Sequence, residues 1–423
     1  MSEFNEFNQI PVSCGMDVHK KSITVCLIST IGNETKKEFK TFTTMTRDIE
    51  TLSKWLVDSN CTRVVMESTG QYWKPVFNIL EELDLKVLLA NARHVKNLPG
   101  RKTDMSDAEW LAILNRNGLI KGSFIPPREI RELRDLCRLR RKTVEDRTRI
   151  KNRISKLVED GNIKLGSVAT DLFGVSGLNM LTKLAEGDSA PKDIANLAKG
   201  KLKKKIKKLN EAAYGRMFDH HRQILKHLLK QYKMVDSLVD DLDKMIKEKS
   251  KPFTKEIKLL ETIPGVNFTA AISIIAETGV DMSVFTTYKH ISSWAGVCPG
   301  NNESAGKNYS GKAPKGNLYL KSILCQAAWS AVRSKNTYLS NKYWSLKSRR
   351  GAKKAIMAIA HKILIAVFHM LKNMEPYREL GSDYLDKIKG KRAVSSMAQR
   401  LKKLGYAVIP QKEKPAINSL NSP

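Results

Sequence analysis

The first part of the chain alternates short apolar runs with turns, a pattern typical of strands joined by tight connections. Three strand-like stretches, VSCGMDVH, SITVCLIS and KKEFKTFTT, follow one another from residue 12, which predicts an antiparallel meander. An amphipathic helix at 46–60, a strand ending at Glu67, a second helix, a strand at 86–91 and a third helix then follow. The order β-β-β-α-β-α-β-α therefore predicts an α/β domain over residues 11–120.

Residues 121–252 are predicted to form a basic helical region. One long helix with arginines inside its apolar stripe fits residues 128–160, and a less regular stretch follows at 161–215. The next helix carries apolar residues alternately three and four positions apart, which is a heptad seam. The seam consists of Leu225, Leu228, Tyr232, Val235, Val239, Leu242 and Ile246. Two readings stay open: a hairpin with the preceding basic helix, or a coiled coil between protomers that would assemble the active site in trans.

Residues 253–375 are predicted to form a third, mostly helical domain, and residues 376–423 a charged, disordered tail. The domain opens with LLETIPGVNFTAAISIIAETG, which resembles a helix-hairpin-helix. Such a turn can present backbone N–H groups to a DNA phosphate, although a Pro-Gly turn also joins helices for packing alone. The apolar stretch 355–371 contains His361 and Lys362, so it indicates a core helix and not a membrane span.

Charge narrows the class of partner. The chain has 74 Lys and Arg against 43 Asp and Glu, a formal net charge of +31, which favours a polyanion and above all nucleic acid. The Lys-rich run at 199–208 is either a solvated face or a phosphate contact, and its scarcity of acids favours phosphate. The start MSEFNEFNQI has no signal-peptide character, and the six scattered cysteines predict reduced packing residues of a cytoplasmic protein.

Four carboxylates in the first domain stand out by their placement. Asp17 lies inside an apolar strand and Glu67 ends another, while Asp104 and Asp107 are three residues apart near a helix start. The ordinary reading of the last two is helix capping, and of the first two a strand-edge acid facing water. If the four converge, they repel one another unless cations neutralise them, and oxygen ligands favour Mg²⁺ or Mn²⁺. A pair of such ions is a standard clamp for phosphodiester chemistry.

A second group of polar residues lies in the third domain. The stretch WAGVCPGNNESAGKNYSGKAPKGN, 294–317, is predicted to be a loop between two helices, and its Gly, Asn, Ser and Lys content suits a phosphate cradle. Both Ser304 and Ser310 lie in this loop, and the pattern alone does not separate them.

Four stretches together resemble the DEDD transposases of mobile insertion sequences: GMDVHKKSITVCLI, MESTGQYWKPV, NARHVKNLPGRKTDMSDAEWLA and the polar loop above. The resemblance runs from about residue 12 to about residue 385 in the family's order. It implies a ribonuclease-H-like (RuvC-like) N-terminal domain, a coiled-coil middle and a C-terminal transposase domain. The family's D-E-D-x-x-D set falls on Asp17, Glu67, Asp104 and Asp107, and its nucleophilic serine on Ser304.

The resemblance implies a recombinase that excises and inserts its element. A structured non-coding RNA of the element, the bridge RNA, would pair with donor and target DNA, so that base pairing selects the sequence. Ser304 would form a covalent phosphoserine beside a Mg²⁺- or Mn²⁺-bound carboxylate set, in a homodimer or tetramer associated with the nucleoid. Two alternatives stay open: a Holliday-junction endonuclease that uses water as its nucleophile, and a non-catalytic RNA-binding remnant.

Overall fold

A computed structural model describes residues 10–31, 34–67, 70–91, 95, 106–187, 189–299, 302–304, 307–310 and 313–407. The chain divides into two compact units, Met1–Ile125 and Pro126–Pro423. The division into four segments predicted from the sequence is finer and stays a prediction.

The first unit is an α/β structure. Its elements are β1 Val12–Val18, β2 Ser22–Ile31, β3 Glu34–Thr43, α1 Thr46–Asp58, β4 Arg63–Glu67, α2 Trp73–Leu80, β5 Lys86–Ala90 and α3 Asp107–Arg116. The strands form one sheet in the order β3-β2-β1-β4-β5. β1, β2 and β3 pair antiparallel, whereas β4 is parallel to both β1 and β5. The predicted order of elements is confirmed among the described residues, and it is compatible with a ribonuclease-H-like fold.

Helices cover both faces of this sheet, so the central strand β1 is buried on both sides. Met16 and Met66 point to one face and pack in the core formed with α1 and α2. Val65 points to the other face and packs with Trp110 and Leu111 of α3. Because side chains alternate along a strand, every second residue of β1 and β4 lies beneath α3.

The second unit is mostly helical. Its helices are α4 Arg128–Asp160, α5 Leu165–Val168, α6 Val175–Glu186, α7 Pro191–Ala195, α8 Ile206–Ala213, α9 Asp219–Lys249, α10 Thr254–Glu261, α11 Phe268–Thr278, α12 Tyr288–Ala295, α13 Leu318–Ala331, α14 Tyr338–Arg350, α15 Ala352–Asn373 and α16 Tyr384–Lys403. Short 3-10 turns lie at Gly200–Lys205, Lys251–Phe253 and Met282–Val284.

The heptad helix α9 packs against the basic helix α4 of the same chain, so the hairpin reading is the one that the fold shows. Its buried positions are Leu225, Leu229, Tyr232, Val239, Leu242 and Ile246. Arginines of α4 add ion pairs across the hairpin: Arg147 Nη1 lies 2.6 Å from Asp236 Oδ1, and Arg140 pairs with Asp243. Leu229, absent from the predicted seam, is more buried than Leu228, because the helix repeats every 3.6 residues and the partner face is broad.

The stretch 161–215, between the two long helices, folds into short helices with an apolar core of their own. Met180, Leu181 and Leu209 are fully buried there, packed with Ile154 of α4 and Leu225 of α9. This stretch therefore widens one end of the helical hairpin into a small globular module.

The Pro-Gly turn between α10 and α11 packs against α13. Gly265 has a φ of +86°, and a Cβ there would lie 2.3 Å from the amide nitrogen of Ala331. The N-terminus of α11 is capped by its own Asn267, whose side chain accepts from the amide of Ala270. Close helix packing therefore explains this turn without any DNA phosphate.

The helix α15 is long and apolar enough to cross a membrane by length and composition, the one helix of that kind among the described residues. Its apolar face, which includes Ile359, Ile363 and Leu364, is buried within the second unit. This burial agrees with the core helix predicted from the sequence. All six cysteines are free, and burial raises the pKa of the Cys26 and Cys61 thiols to about 11, which agrees with a packing role.

Two predictions about loops are wrong. The polar stretch 294–317 contains a two-stranded antiparallel sheet, β6 Asn302–Ser304 and β7 Lys307–Ser310. The strand sequences NES and KNYS are short and mostly polar, so alternation of polar and apolar residues could not reveal them. Part of the tail predicted to be disordered, Tyr384–Lys403, forms α16 instead, and Leu385 at its start is buried. Residues 408–423 lie outside the described residues.

Candidate functional site

Asp17 and Glu67 lie side by side at the carboxyl ends of two neighbouring strands. The parallel register pairs Met16 of β1 with Met66 of β4, and each carboxylate is the next residue of its strand. Parallel neighbours are about 4.8 Å apart, so the two backbones bring these carboxylates to one point of the sheet edge. Both residues are on the same face as Gly15 and Val65, which is the face covered by α3.

The helix α3 runs antiparallel to β1, so its N-terminus lies at the same edge. Asn115, near its end, donates to Ser13 Oγ at 3.0 Å. Near its start, the carbonyl oxygen of Ala108 would lie 2.2 Å from a Cβ on Gly15. Asp107, the first helical residue, therefore lies beside the edge that carries Asp17. The positive end of the helix dipole at this edge stabilises negative charge.

Capping does not account for Asp107. The N-cap of α3 is Ser106, whose side chain accepts from the amide of Glu109 at 3.2 Å. Asp104 lies outside the described residues, so its convergence with the other three carboxylates stays a prediction.

One neighbour of this edge was missed by reasoning from the sequence. His19 Nε2 lies 3.1 Å from Asp17 Oδ2, and Asp17 is largely buried whereas His19 is exposed. The only sequence signal is its position two residues after Asp17, at the end of β1. His19 is therefore a polar neighbour of Asp17 at this edge.

The donor chemistry of the edge fits a divalent cation. Asp17, Glu67 and Asp107 offer carboxylate oxygens, the ligands that Mg²⁺ and Mn²⁺ prefer. Within the part of the chain that the structure describes, however, no three His, Cys, Asp or Glu residues are arranged closely enough to hold a metal ion. A complete set would need Asp104 or a small movement of the described side chains.

The second predicted site is the hairpin of β6 and β7, and a narrow neck at Gly296 and Gly316 connects it to the rest of the unit. Ser304 ends β6 and pairs with Lys307, next to the connection between the strands, whereas Ser310 pairs with Asn302 at the other end. Below the strands, a Cβ on Gly316 would lie 2.3 Å from the amide nitrogen of Gly296. The two glycines thus allow the chain to enter and leave the hairpin at one point.

A buried carboxylate ties this neck to the long basic helix. Glu277 is 3% exposed, and Arg138 of α4 donates to its two oxygens at 2.7 and 2.8 Å. Asn317, the first residue after the neck, donates to the same carboxylate at 2.6 Å. Its own Oδ1 accepts from the amides of Tyr319 and Leu320, which caps α13. Arg134 completes the group by donating to the carbonyl of Glu277.

Two arginines, Arg134 and Arg138, surround the single carboxylate of Glu277 in this group. Burial lowers the pKa of Arg134 to about 10, and the charge of Glu277 opposes that shift. Arg134 therefore stays protonated at neutral pH. Since a buried ion pair that loses one partner leaves an uncompensated charge, the neck is held by an interaction that is costly to break.

Comparison with known families gives two matches in chain order. Residues 14–162 match the DEDD transposase family of the IS110 type, described as "Transposase". Residues 257–345 match the family described as "Transposase IS116/IS110/IS902 family". The first match covers the carboxylate edge and all of α4, and the second covers the neck and the Ser304 hairpin. Residues 163–256 lie outside both.

Two curated proteins are similar to the chain. The "Transposase for insertion sequence element IS1111A" of Coxiella burnetii is 23% identical over 325 residues, which is 74% of this chain and 79% of that protein. The "Insertion element IS900 uncharacterized 42 kDa protein" of Mycobacterium paratuberculosis is 25% identical over 157 residues, which is 36% of this chain and 39% of that protein. With both family matches in the expected order, the chain belongs to the DEDD transposases of insertion sequences.

Proposed function

We propose that this transposase cleaves and rejoins DNA strands with a carboxylate site at the sheet edge and a serine nucleophile in the second unit. The observation that carries the proposal is the register of β1 and β4, which sets Asp17 and Glu67 side by side at the N-terminus of α3. Asp107 lies at the same edge, and Asp104 is assigned to the set from the resemblance. These carboxylates would hold a Mg²⁺ or Mn²⁺ ion, which would supply positive charge beside the phosphate that is displaced.

Ser304 is assigned as the nucleophile. Its hydroxyl oxygen forms a bond to the phosphorus of a DNA phosphodiester while the bond to one deoxyribose oxygen breaks. The serine loses its proton, and the leaving deoxyribose oxygen gains one. The covalent phosphoserine keeps the bond energy available for rejoining, whereas hydrolysis by water would lose it. Its position beside the hairpin connection supports Ser304 over Ser310, which lies at the opposite end of the short ladder.

The proposal includes an RNA partner. The net charge of +31 suits a protein that holds DNA duplexes and a structured RNA at once. Pairing of that RNA with DNA supplies sequence selection, and the protein contacts backbone and shape. The fold of the first unit is in this proposal a RuvC-like member of the ribonuclease-H-like class.

The carboxylate site is tested with Asp17→Ala and Glu67→Ala. Strand cleavage in Mg²⁺ should fall on the order of 10³-fold or more, because a phosphate clamp contributes several kcal/mol. DNA binding should change little, since it rests on the basic surface. Glu38→Ala, at a half-buried acid of β3 that pairs with Lys36, is the matched control and should cleave normally. Full cleavage by Asp17→Ala would remove the assignment.

The nucleophile is tested by trapping the reaction on a suicide DNA substrate and locating the modified peptide by mass spectrometry. An adduct on Ser304 that Ser304→Ala abolishes supports the proposal. An adduct on Ser310 would move the role to that residue. Cleavage without any adduct would favour the Holliday-junction endonuclease, whose nucleophile is water.

A further inference from the structure

One surface in the segment outside both family matches has its charges left unpaired. The 3-10 turn Gly200–Lys205 and helix α8 bury Leu209 and partly bury Leu202 and Ile206, which turns the lysines outward. Six exposed lysines belong to this surface: Lys199, Lys201, Lys203, Lys204, Lys207 and Lys208. Lys205 is exposed too, but its Nζ donates to the carbonyl of Val168 at 3.2 Å. Across the described ranges, no carboxylate forms an ion pair with any of them. The long helix α4 differs, because arginines such as Arg138, Arg140 and Arg147 are paired.

Two large aromatic side chains stand directly after these lysines. Tyr214 is 78% exposed and Phe218 is 62% exposed, in the loop that joins α8 to α9. The loop begins one residue beyond α8, so Tyr214 lies about 10 Å along the helix from Lys207. Two exposed basic or polar groups, Arg216 and His220, lie between and beside the rings.

The exposure of both rings is fixed by the fold. The amide of Arg216 donates to the carbonyl of Gly161 at 2.8 Å, and a Cβ on Gly215 would lie 2.5 Å from that same oxygen. The amide of Phe218 donates to His221 Nδ1 at 3.3 Å. The other ring nitrogen of His221 lies 3.0 Å from Asp160 Oδ2. These contacts hold the backbone of the loop in the position that leaves both rings exposed.

Two aromatic rings that face water do not contribute the hydrophobic stabilisation that their burial would give. A partner that covers them would restore that stabilisation. Unpaired lysines beside flat apolar rings match a strand of nucleotides, whose phosphates bind cations and whose bases stack. Duplex DNA does not fit, because its bases are already stacked inside the helix. RNA offers loops and bulges with unstacked bases that proteins stack on aromatic side chains.

We propose that the six lysines and the loop with Tyr214 and Phe218 form a docking surface for single-stranded RNA. The lysines follow the phosphates, and the two rings stack on unpaired bases. This surface lies far along the chain from Asp17 and Ser304, so its binding is measured without strand cleavage. A negative result in the RNA-binding test would therefore not affect the proposed cleavage mechanism. A negative result in the cleavage tests would not affect the proposed RNA surface.

The test uses the full-length protein and fluorescence anisotropy. The probes are an oligouridylate of about 12 nucleotides, an oligothymidylate of equal length and a DNA duplex. Tyr214→Ala and Phe218→Ala should each weaken oligouridylate binding about five-fold or more, and leave duplex binding within about two-fold. Tyr214→Trp keeps a stacking ring and should bind as the unchanged protein does. Val175→Ala, an exposed apolar residue of the same module, is the matched control and should change neither affinity.

The lysines have a separate readout. Lys203→Ala combined with Lys204→Ala should reduce the slope of log affinity against log salt by about one to two for the single strand, since each phosphate contact releases counterions. Tyr214→Ala should lower affinity without changing that slope. Equal loss of duplex and oligouridylate binding in the aromatic variants would overturn the stacking role. If Tyr214→Ala and Phe218→Ala weaken binding to oligothymidylate, or to anionic phospholipid vesicles, more than binding to oligouridylate, RNA is not the partner.

Discussion

At the scale of single residues, Gly15 determines how closely α3 approaches the carboxylate edge. Gly15 allows α3 to pack directly on β1, which brings Asp107 beside Asp17. Any side chain at this position would meet helix backbone that cannot rotate away, and would push α3 off the sheet. The same residue therefore governs the stability of the first unit and the geometry of its candidate site.

We expect Gly15→Ala to destabilise the protein by about 3 kcal/mol and to lower strand cleavage, because the added Cβ overlaps the backbone of Ala108 and Ala112. Urea unfolding and a cleavage assay measure the two effects. Gly166→Ala is the control, since a Cβ there meets nothing within 4 Å and should change stability little. Normal stability of Gly15→Ala would contradict the close contact.

Asn317 offers a second prediction at this scale, on the neck of the Ser304 hairpin. Asn317→Ser keeps a capping oxygen for α13 but removes the side-chain amide group that donates to Glu277. Under the proposed function, we expect cleavage to fall about tenfold with unchanged DNA affinity, since small misplacements of reacting groups are costly. A single-turnover assay separates the two quantities.

The matched control is Asn267→Ser, which makes the same exchange at another helix cap. Asn267 caps α11, and among the described residues its side chain does not bond to Glu277. Equal cleavage by the two variants would show that the neck does not need the bond from Asn317. The double variant Glu277→Gln with Asn317→Asp reverses donor and acceptor between the two side chains. It should restore part of the cleavage rate that Asn317→Ser loses.

At the scale of elements, the hairpin of α4 and α9 organises the second unit. Leu225 is fully buried where this hairpin meets the module of residues 161–215. We expect Leu225→Ala to lower the free energy of unfolding by about 2–5 kcal/mol, because the cavity cannot close between two long helices. Leu139→Ala, at an exposed position of α4, should stay within about 0.5 kcal/mol. Urea denaturation measures the free energy of unfolding of both variants. Similar losses in the two would contradict the buried packing of Leu225.

At the scale of the whole molecule, the inner seam of α9 is occupied within its own chain, so it no longer supports a coiled coil between protomers. The outer face of α9 still exposes Met234, Leu238 and Met245 on one side. That stripe is now the feature that favours the predicted homo-oligomer. We expect Leu238→Lys to shift the protein toward monomer in light scattering, and Lys233→Ala on the same helix to leave its mass unchanged. An unchanged mass for Leu238→Lys would exclude this stripe as the contact between protomers.

An active site assembled in trans stays a prediction at this scale. Asp17→Ala and Ser304→Ala chains, each inactive alone, should recover part of the strand cleavage when mixed oligomers form. Some sites then combine intact carboxylates from one chain with an intact serine from another. If mixed assembly is verified and cleavage stays at background, each site is built within one chain.

The sequence by itself determined the elements that have a local signal. Apolar alternation and helical spacing predicted the five strands of the first sheet and the long helices, because burial of a face leaves a period in the chain. The acids Asp17 and Glu67 stood out because each follows apolar residues. The polar strands β6 and β7 and the helix α16 lack a strong period of that kind, so their structure could not be read from it.

Only the tertiary structure decided what depends on residues distant in the chain. The register of β1 and β4 sets Asp17 beside Glu67, and the seam of α9 found its partner in α4. His19, the Glu277–Asn317 link and the pinned exposure of Tyr214 arise from contacts that no spacing encodes. Local patterns report which face of an element is buried, whereas packing alone selects the element that covers it.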